Sequence, residues 1–172
     1  MPYAIRTIGM NPSEVGLTLA CYGLGMVMGS LLASRVVSMM PFGVAILLGP
    51  FFSVLAACVM ALSLWAPFVG VAALSYFLFG FGPIIWTITS TTLRQSVTPN
   101  SMMGRVTAIN IVAGTGARPI GALLGGFVGE MGSDLTSLTV VVAGFGVQAI
   151  VITFSKVRSL KSLSQARDGT ND

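Results

Sequence analysis

The 172-residue chain has nine Lys or Arg, five Asp or Glu and no His, and only 8% of its residues are charged, against roughly 25% in an ordinary soluble domain. With 54% apolar residues and a mean hydropathy of +0.90, it lacks the polar surface to wrap a water-soluble fold of this length. The excess of positive charge is no sign of nucleic-acid binding, because the basic residues stand at the ends of apolar stretches and not among aromatics in a patch.

The spacing of the charges says more than their number. No charged residue falls between Glu14 and Arg35, between Arg35 and Arg94, or between Asp134 and Lys156. A helix needs about 20 residues, at about 1.5 Å each, to cross a hydrocarbon core of about 30 Å. The first and last gaps therefore hold one span each, and the middle gap holds two spans and a turn. The fold expected is an all-α, polytopic membrane helix bundle of about five transmembrane helices, forming one domain over residues 1–172.

In chain order, Met1 to Ser13 reads as a loop or the tail of an earlier helix, and it lacks the short apolar core and small-residue cleavage site of a signal peptide. The first span is predicted over 14–37, with Gly23, Gly25, Gly29 and Ala33, followed by a turn from Arg35 to Pro41. The second, 42–65, contains Gly49-Pro50, where proline cannot donate to the carbonyl four residues back and a kink is expected. Ala66-Pro67 reads as a tight turn, with Pro67 in the first turn of the third span, 67–91, which carries Gly80, Gly82 and Pro83. A polar loop from Leu93 to Gly104 holds Arg94, Pro99 and Asn100, with Arg105 just beyond. The fourth span, 105–129, is the least apolar and the richest in glycine. Glu130 to Asp134 forms an acidic turn, the fifth span covers 135–154, and a polar tail, 155–172, contains Lys156, Arg158, Lys161 and Arg167.

Lysine and arginine collect on the cytoplasmic side of membrane proteins. One side here gathers Arg35, Arg94, Arg105 and the basic tail; the other gathers Glu130 and Asp134. The expected topology is N-terminus outside and C-terminus cytoplasmic, with Trp65 and Trp86 near opposite boundaries.

Arg118 is the one ionisable residue deep within a span. It lies 13 residues from Arg105 and 12 from Glu130, or about 20 Å and 18 Å along a helix, close to the midplane. An arginine there costs about 2.5–3.5 kcal/mol on insertion scales, so it should face protein or water. Pro119 leaves the Thr115 carbonyl without its helical donor, and Gly114 and Gly116 loosen the same turn. A broken helix with a free carbonyl and a cation at mid-depth is how transporters build sites. Two readings stand: Arg118 lines a permeation path and favours anionic substrates, or it satisfies the freed carbonyls and pins a kink.

Small residues recur every four positions at Ala113, Ala117, Gly121, Gly125 and Gly129, and again at Gly25, Gly29 and Ala33. Residues four apart share a helix face, and small ones let another backbone come close, so these read as helix-packing surfaces. Catalysis has no support: the acids sit at span boundaries, and Ser75, Thr87 and Ser90 have no base beside them. Cys21 and Cys58 fall inside spans as small apolar side chains. Without histidine or a ligand cluster, no metal, disulfide or cofactor is expected.

The stretch Leu93-Arg94-Gln95 through Pro99, then Met103-Gly104-Arg105-Val106, then Arg118-Pro119-Ile120-Gly121-Ala122-Leu123-Leu124-Gly125-Gly126, resembles the major facilitator superfamily. It is similar to the loop between the tenth and eleventh helices, and to the eleventh helix itself, in the bacterial drug and siderophore exporter branch. Gly9 to Gly16, with Gly23 to Gly29 behind it, resembles the start of the eighth helix there. The resemblance covers about Ala4 to Arg158 and implies a partial major-facilitator fold, helices eight to twelve of an alternating-access permease in the bacterial inner membrane, usually proton-coupled. The partners implied are the lipid bilayer, the missing N-terminal half or another membrane protein, and a small-molecule substrate. In the family the eighth and eleventh helices pack on that other half, which would account for both smooth faces, and the loop with Arg94, Pro99, Gly104 and Arg105 would hold the inward gate or anchor positive charge inside. No acid lies at mid-depth in this chain, so a coupling residue would have to be elsewhere. The alternative is a truncated, non-transporting membrane protein or a helix-packing interaction partner.

Overall fold

A computed structural model describes residues 9–65 and 68–155, apart from the side chains of residues 42, 131 and 134. The expected turn at Ala66-Pro67, the segment before Gly9 and the tail from Lys156 onward lie outside the described residues. Five helices follow one another: α1 (Pro12–Met39), α2 (Phe42–Leu62), α3 (Val69–Val97), α4 (Met103–Met131) and α5 (Asp134–Thr153). Each is long and apolar enough to cross a membrane, and the described residues contain no strand.

Helix α1 begins where local chemistry dictates. Asn11 Oδ1 accepts from the Glu14 amide (2.9 Å) while Glu14 Oε2 accepts from the Asn11 amide (2.8 Å). This reciprocal pair satisfies two backbone donors, and Pro12 occupies the first helical position, where no N–H is needed. Just upstream, Gly9 has a φ of +72°, a left-handed conformation that glycine adopts without strain. Met10 is then buried against Ala72 and Val15, stapling the incoming chain to the helix.

Two helix ends differ from the sequence expectation. Helix α1 continues to Met39, so Arg35 is helical and not part of a turn. Helix α3 continues to Val97, so Arg94 lies in its last turn and not in a loop. Polarity rises from Ser90 onward, yet the hydroxyls of Thr92 and Ser96 bond to the carbonyls of Ile88 (2.9 Å) and Leu93 (2.8 Å) within the same helix. A cation in the last turn also suits the negative end of the helix dipole. The stop comes at Thr98, whose backbone is extended (φ −93°, ψ 124°), as the residue before Pro99 must be.

An added Cβ on Gly25 would overlap the backbone of Phe77 and Phe81, and one on Gly29, a turn later, would overlap the Phe81 carbonyl oxygen and the Ile84 side chain, so α1 and α3 run parallel; an added Cβ on Gly80 would overlap the Tyr22 carbonyl oxygen, so their backbones touch. Between α2 and α3 the order reverses: Gly49 faces Trp86, Gly82 faces Phe52, and the Ser75 hydroxyl donates to the Ala56 carbonyl (2.8 Å), which makes this pair antiparallel. Helix α3 thus lies between α1 and α2, α2 leans on α5, and Phe79 of α3 meets Phe145 of α5 with ring centroids 5.3 Å apart. Trp86 is packed on Gly49.

The buried set inverts that of a soluble protein. Ala33, Ala45, Ala56, Ala57, Ala72, Ser53, Ser75, Thr18 and Thr89 are inside, while Leu31 (71% exposed), Phe51 (60%) and Leu123 (75%) point outward. Small residues at contacts and large apolar ones outside are what lipid as solvent favours, because the tails offer no hydrophobic reason to bury leucine.

Candidate helix-packing faces and a mid-span arginine

The smooth face of α1 is filled from within the chain. Gly25, Gly29 and Ala33 are buried, and added Cβ atoms on the two glycines would collide with the backbone of Phe77 and Phe81 and with the Ile84 side chain. The expectation that this face awaits another half of the molecule is corrected: α3 supplies the partner through Gly80. The sequence showed Gly80 and Gly82 but gave no register; the repeated Gly-Pro steps at 49–50 and 82–83 were the available signal that α2 and α3 cross at matching glycines.

The face of α4 is different. Added Cβ atoms on Gly114, Gly121, Gly125 and Gly129 would meet nothing within 4 Å, and Ala113 and Ala117 are exposed. Helix α4 touches α5 sparsely and buries none of its described residues. It also runs unbroken from Met103 to Met131 through Pro119, so the expected helix break is absent. Proline still has no N–H to give, which leaves the Thr115 carbonyl without its ordinary donor; the Thr115 hydroxyl itself bonds to the Ile111 carbonyl.

Arg118 is exposed and forms no hydrogen bond or ion pair with the described residues. At about 100° per residue, Thr107, Asn110, Gly114, Arg118, Gly121 and Gly125 share an arc of about 80°. Ile109, Val112, Ile120, Leu123 and Phe127 occupy the opposite side and are all exposed. Helix α4 therefore presents a small, polar face with the cation in it and a bulky, apolar back. Thr107 and Asn110 were not singled out from the four-residue spacing; the interval of three or four that joins them to Gly114 and Arg118 would have found them.

At the opposite end from the α2–α3 connection, Arg35 ends α1, Arg94 ends α3 and Arg105 opens α4. The first two share a side because α1 and α3 are parallel, and Arg105 follows the short turn at 98–102. Of the loop residues expected from sequence, Pro99 is in that turn, where its carbonyl accepts from the Met102 amide (2.9 Å), whereas Gly104 and Arg105 are already helical. Arg94 is half-buried, and its Nε is enclosed without a hydrogen-bond partner among the described residues. Arg35 borders an open groove with Met28, Leu31, Leu32 and Ser34.

The profile of the transmembrane secretion effector family matches residues 2–171. The chain belongs to this family of the major facilitator superfamily. It is similar to proteins named enterobactin exporter EntS: 28% identical over 164 residues to that of Salmonella paratyphi A, covering 92% of this chain and 38% of the relative. The match to the Citrobacter koseri protein is 31% over 139 residues, covering 80% and 32%, and to the Salmonella choleraesuis protein 30% over 142 residues, covering 82% and 33%. The chain thus spans about a third of the length of these curated relatives. No solved structure matches it. As a secretion-effector family member with five helices able to span a membrane, it is a multi-pass membrane protein of a transporter family.

Proposed function

We propose that this chain forms the C-terminal five helices, one transmembrane domain, of an exporter-like permease that moves a small molecule across the bacterial inner membrane by alternating access, and that it is not an enzyme. The observation that carries this reading is the family match over nearly the whole chain, on helices whose large apolar residues face outward. The grouping of Arg35, Arg94 and Arg105 at one end supports a cytoplasmic position for that end, with the N-terminus outside and the C-terminus inside.

Within that permease, Arg118, beside Pro119 and the free Thr115 carbonyl, borders the permeation path and favours substrates with anionic groups. Arg94 and Arg105, flanking Pro99 and Gly104, hold the inward gate. The test uses the complete permease containing this sequence, in proteoliposomes, with Arg118→Lys and Arg118→Ala. Selectivity among anionic and neutral substrates should weaken in Lys and vanish in Ala; unchanged substrate profiles in both sink the proposal. The chain alone, with no acid at mid-depth, should give no proton-driven efflux. A second reading, a non-transporting partner that packs on helices of another protein, draws on the unpartnered face of α4 and predicts no flux in either preparation.

A further inference from the structure

We infer that, when no substrate is present, the face of α4 centred on Arg118 is closed by a transmembrane helix other than α1–α5 that sets a carboxylate at mid-depth against the guanidinium. The inference takes from the proposed function only that α4 crosses the bilayer, and owes nothing to substrate preference.

Three occupants compete for this face, and charge decides among them. Lipid is disfavoured, because the cation sits about 20 Å from either end of α4, too deep for its side chain to reach a headgroup, and insertion there is costly. A second copy is disfavoured as well. Arg118 lies near the midplane, so pairing along this face brings two guanidinium groups to the same depth whether the copies run parallel or antiparallel.

A foreign helix carrying an acid meets neither objection. The counter-charge must come from outside the five helices. Glu14 caps α1, Asp134 opens α5 and Glu130 is about 18 Å further along α4, so no span offers an acid at the depth of Arg118. The surroundings suit such a partner. Gly114 and Gly121, one turn to either side of Arg118, have open space where a Cβ would be, so a second backbone can approach closely enough for a short Asp or Glu side chain to reach. Asn110 and Thr107 add hydrogen-bonding groups to the same face, and the guanidinium fork takes a carboxylate through two parallel bonds.

The test reconstitutes the full chain in liposomes with leucine–alanine transmembrane peptides bearing Glu, Gln or Lys at the midpoint, at mildly alkaline pH, and follows association by energy transfer. The Glu peptide should bind about 3- to 30-fold tighter than the Gln peptide, the range that interhelical polar contacts give in bilayers, and the Lys peptide weakest. Arg118→Leu should abolish the Glu-over-Gln preference, and Arg118→Lys should keep part of it, which guards against a variant that merely folds badly. Equal binding of Glu and Gln peptides overturns the inference. So does chain–chain transfer that outcompetes the Glu peptide, which marks a second copy, or displacement by free citrate with no Glu-peptide preference, which marks a small-ligand site. Labelling the two ends of α4 from opposite sides of the bilayer separates this failure from that of the exporter reading, since α4 can cross while the peptides fail to discriminate.

Discussion

The clearest consequence of the packing concerns glycines that look alike in sequence and differ in surroundings. In Gly25→Ala the new methyl overlaps the Phe77 carbonyl oxygen and closes on the Phe81 amide nitrogen at 3.0 Å, and both are backbone atoms that cannot rotate aside. The α1–α3 pair must then open by roughly an ångström. Such a gap forfeits a quarter to a half of about 0.1–0.2 kcal/mol per atom pair, so about 50 pairs lose about 1–5 kcal/mol. Alanine returns up to about 1 kcal/mol of helix propensity, for a net loss of up to about 4 kcal/mol, which brackets the usual cost of overpacking, about 1–3 kcal/mol. Gly121→Ala meets nothing within 4 Å and should be neutral or stabilising by up to about 1 kcal/mol. The assay is SDS-induced unfolding of the purified chain in mild detergent, followed by the fluorescence of Trp86 against Gly49. Gly80→Ala, whose methyl would strike the Tyr22 carbonyl, should behave as Gly25→Ala does. If Gly25→Ala stabilises as much as Gly121→Ala, the α1–α3 crossing described here is wrong.

Other outcomes follow from single contacts. Ser75→Ala removes the bond to the Ala56 carbonyl and should cost about 0.6–1.7 kcal/mol in the same titration, the span measured for interhelical bonds in membranes; no change would mean the hydroxyl finds another acceptor. Asn11→Ala should cost about 0.5–2 kcal/mol and speed hydrogen exchange at the Glu14 and Val15 amides without affecting α3. In the complete permease, Gly121→Leu should reduce transport while leaving the stability of the isolated chain nearly unchanged. Equal loss in both would place the partner of this face inside the chain. Arg105→Glu should slow transport without altering the topology of α4, and an unchanged rate would remove Arg105 from the gate.

Five spans and their order were legible because long charge-free stretches leave the backbone no choice in lipid but to satisfy itself in helices. Ends were less legible, since hydropathy reports where side chains leave the hydrocarbon and not where hydrogen bonding stops. Helix α3 runs past Thr91 to Val97 on hydroxyls that bond to their own helix, and Asn11, not apolar content, sets the start of α1. The spacing of small residues picked out smooth faces but was silent on their partners. Gly25 and Gly121 belong to the same pattern, yet one is buried under Phe77 and the other is open, because register between distant helices is a tertiary property. Arg118 stood out by depth alone, while its face-mates Thr107 and Asn110 appear only once the helix is drawn at 3.6 residues per turn.

The most direct test is whether α4 crosses the bilayer, since the meaning of Arg118 depends on it. In a chain with Cys21 and Cys58 replaced by Ser, single cysteines at Asn100 and Ser133 would be exposed to an impermeant maleimide in intact cells and again after lysis. The account predicts that Ser133→Cys reacts in intact cells and Asn100→Cys only after lysis. Labelling of both positions from the same side would contradict it.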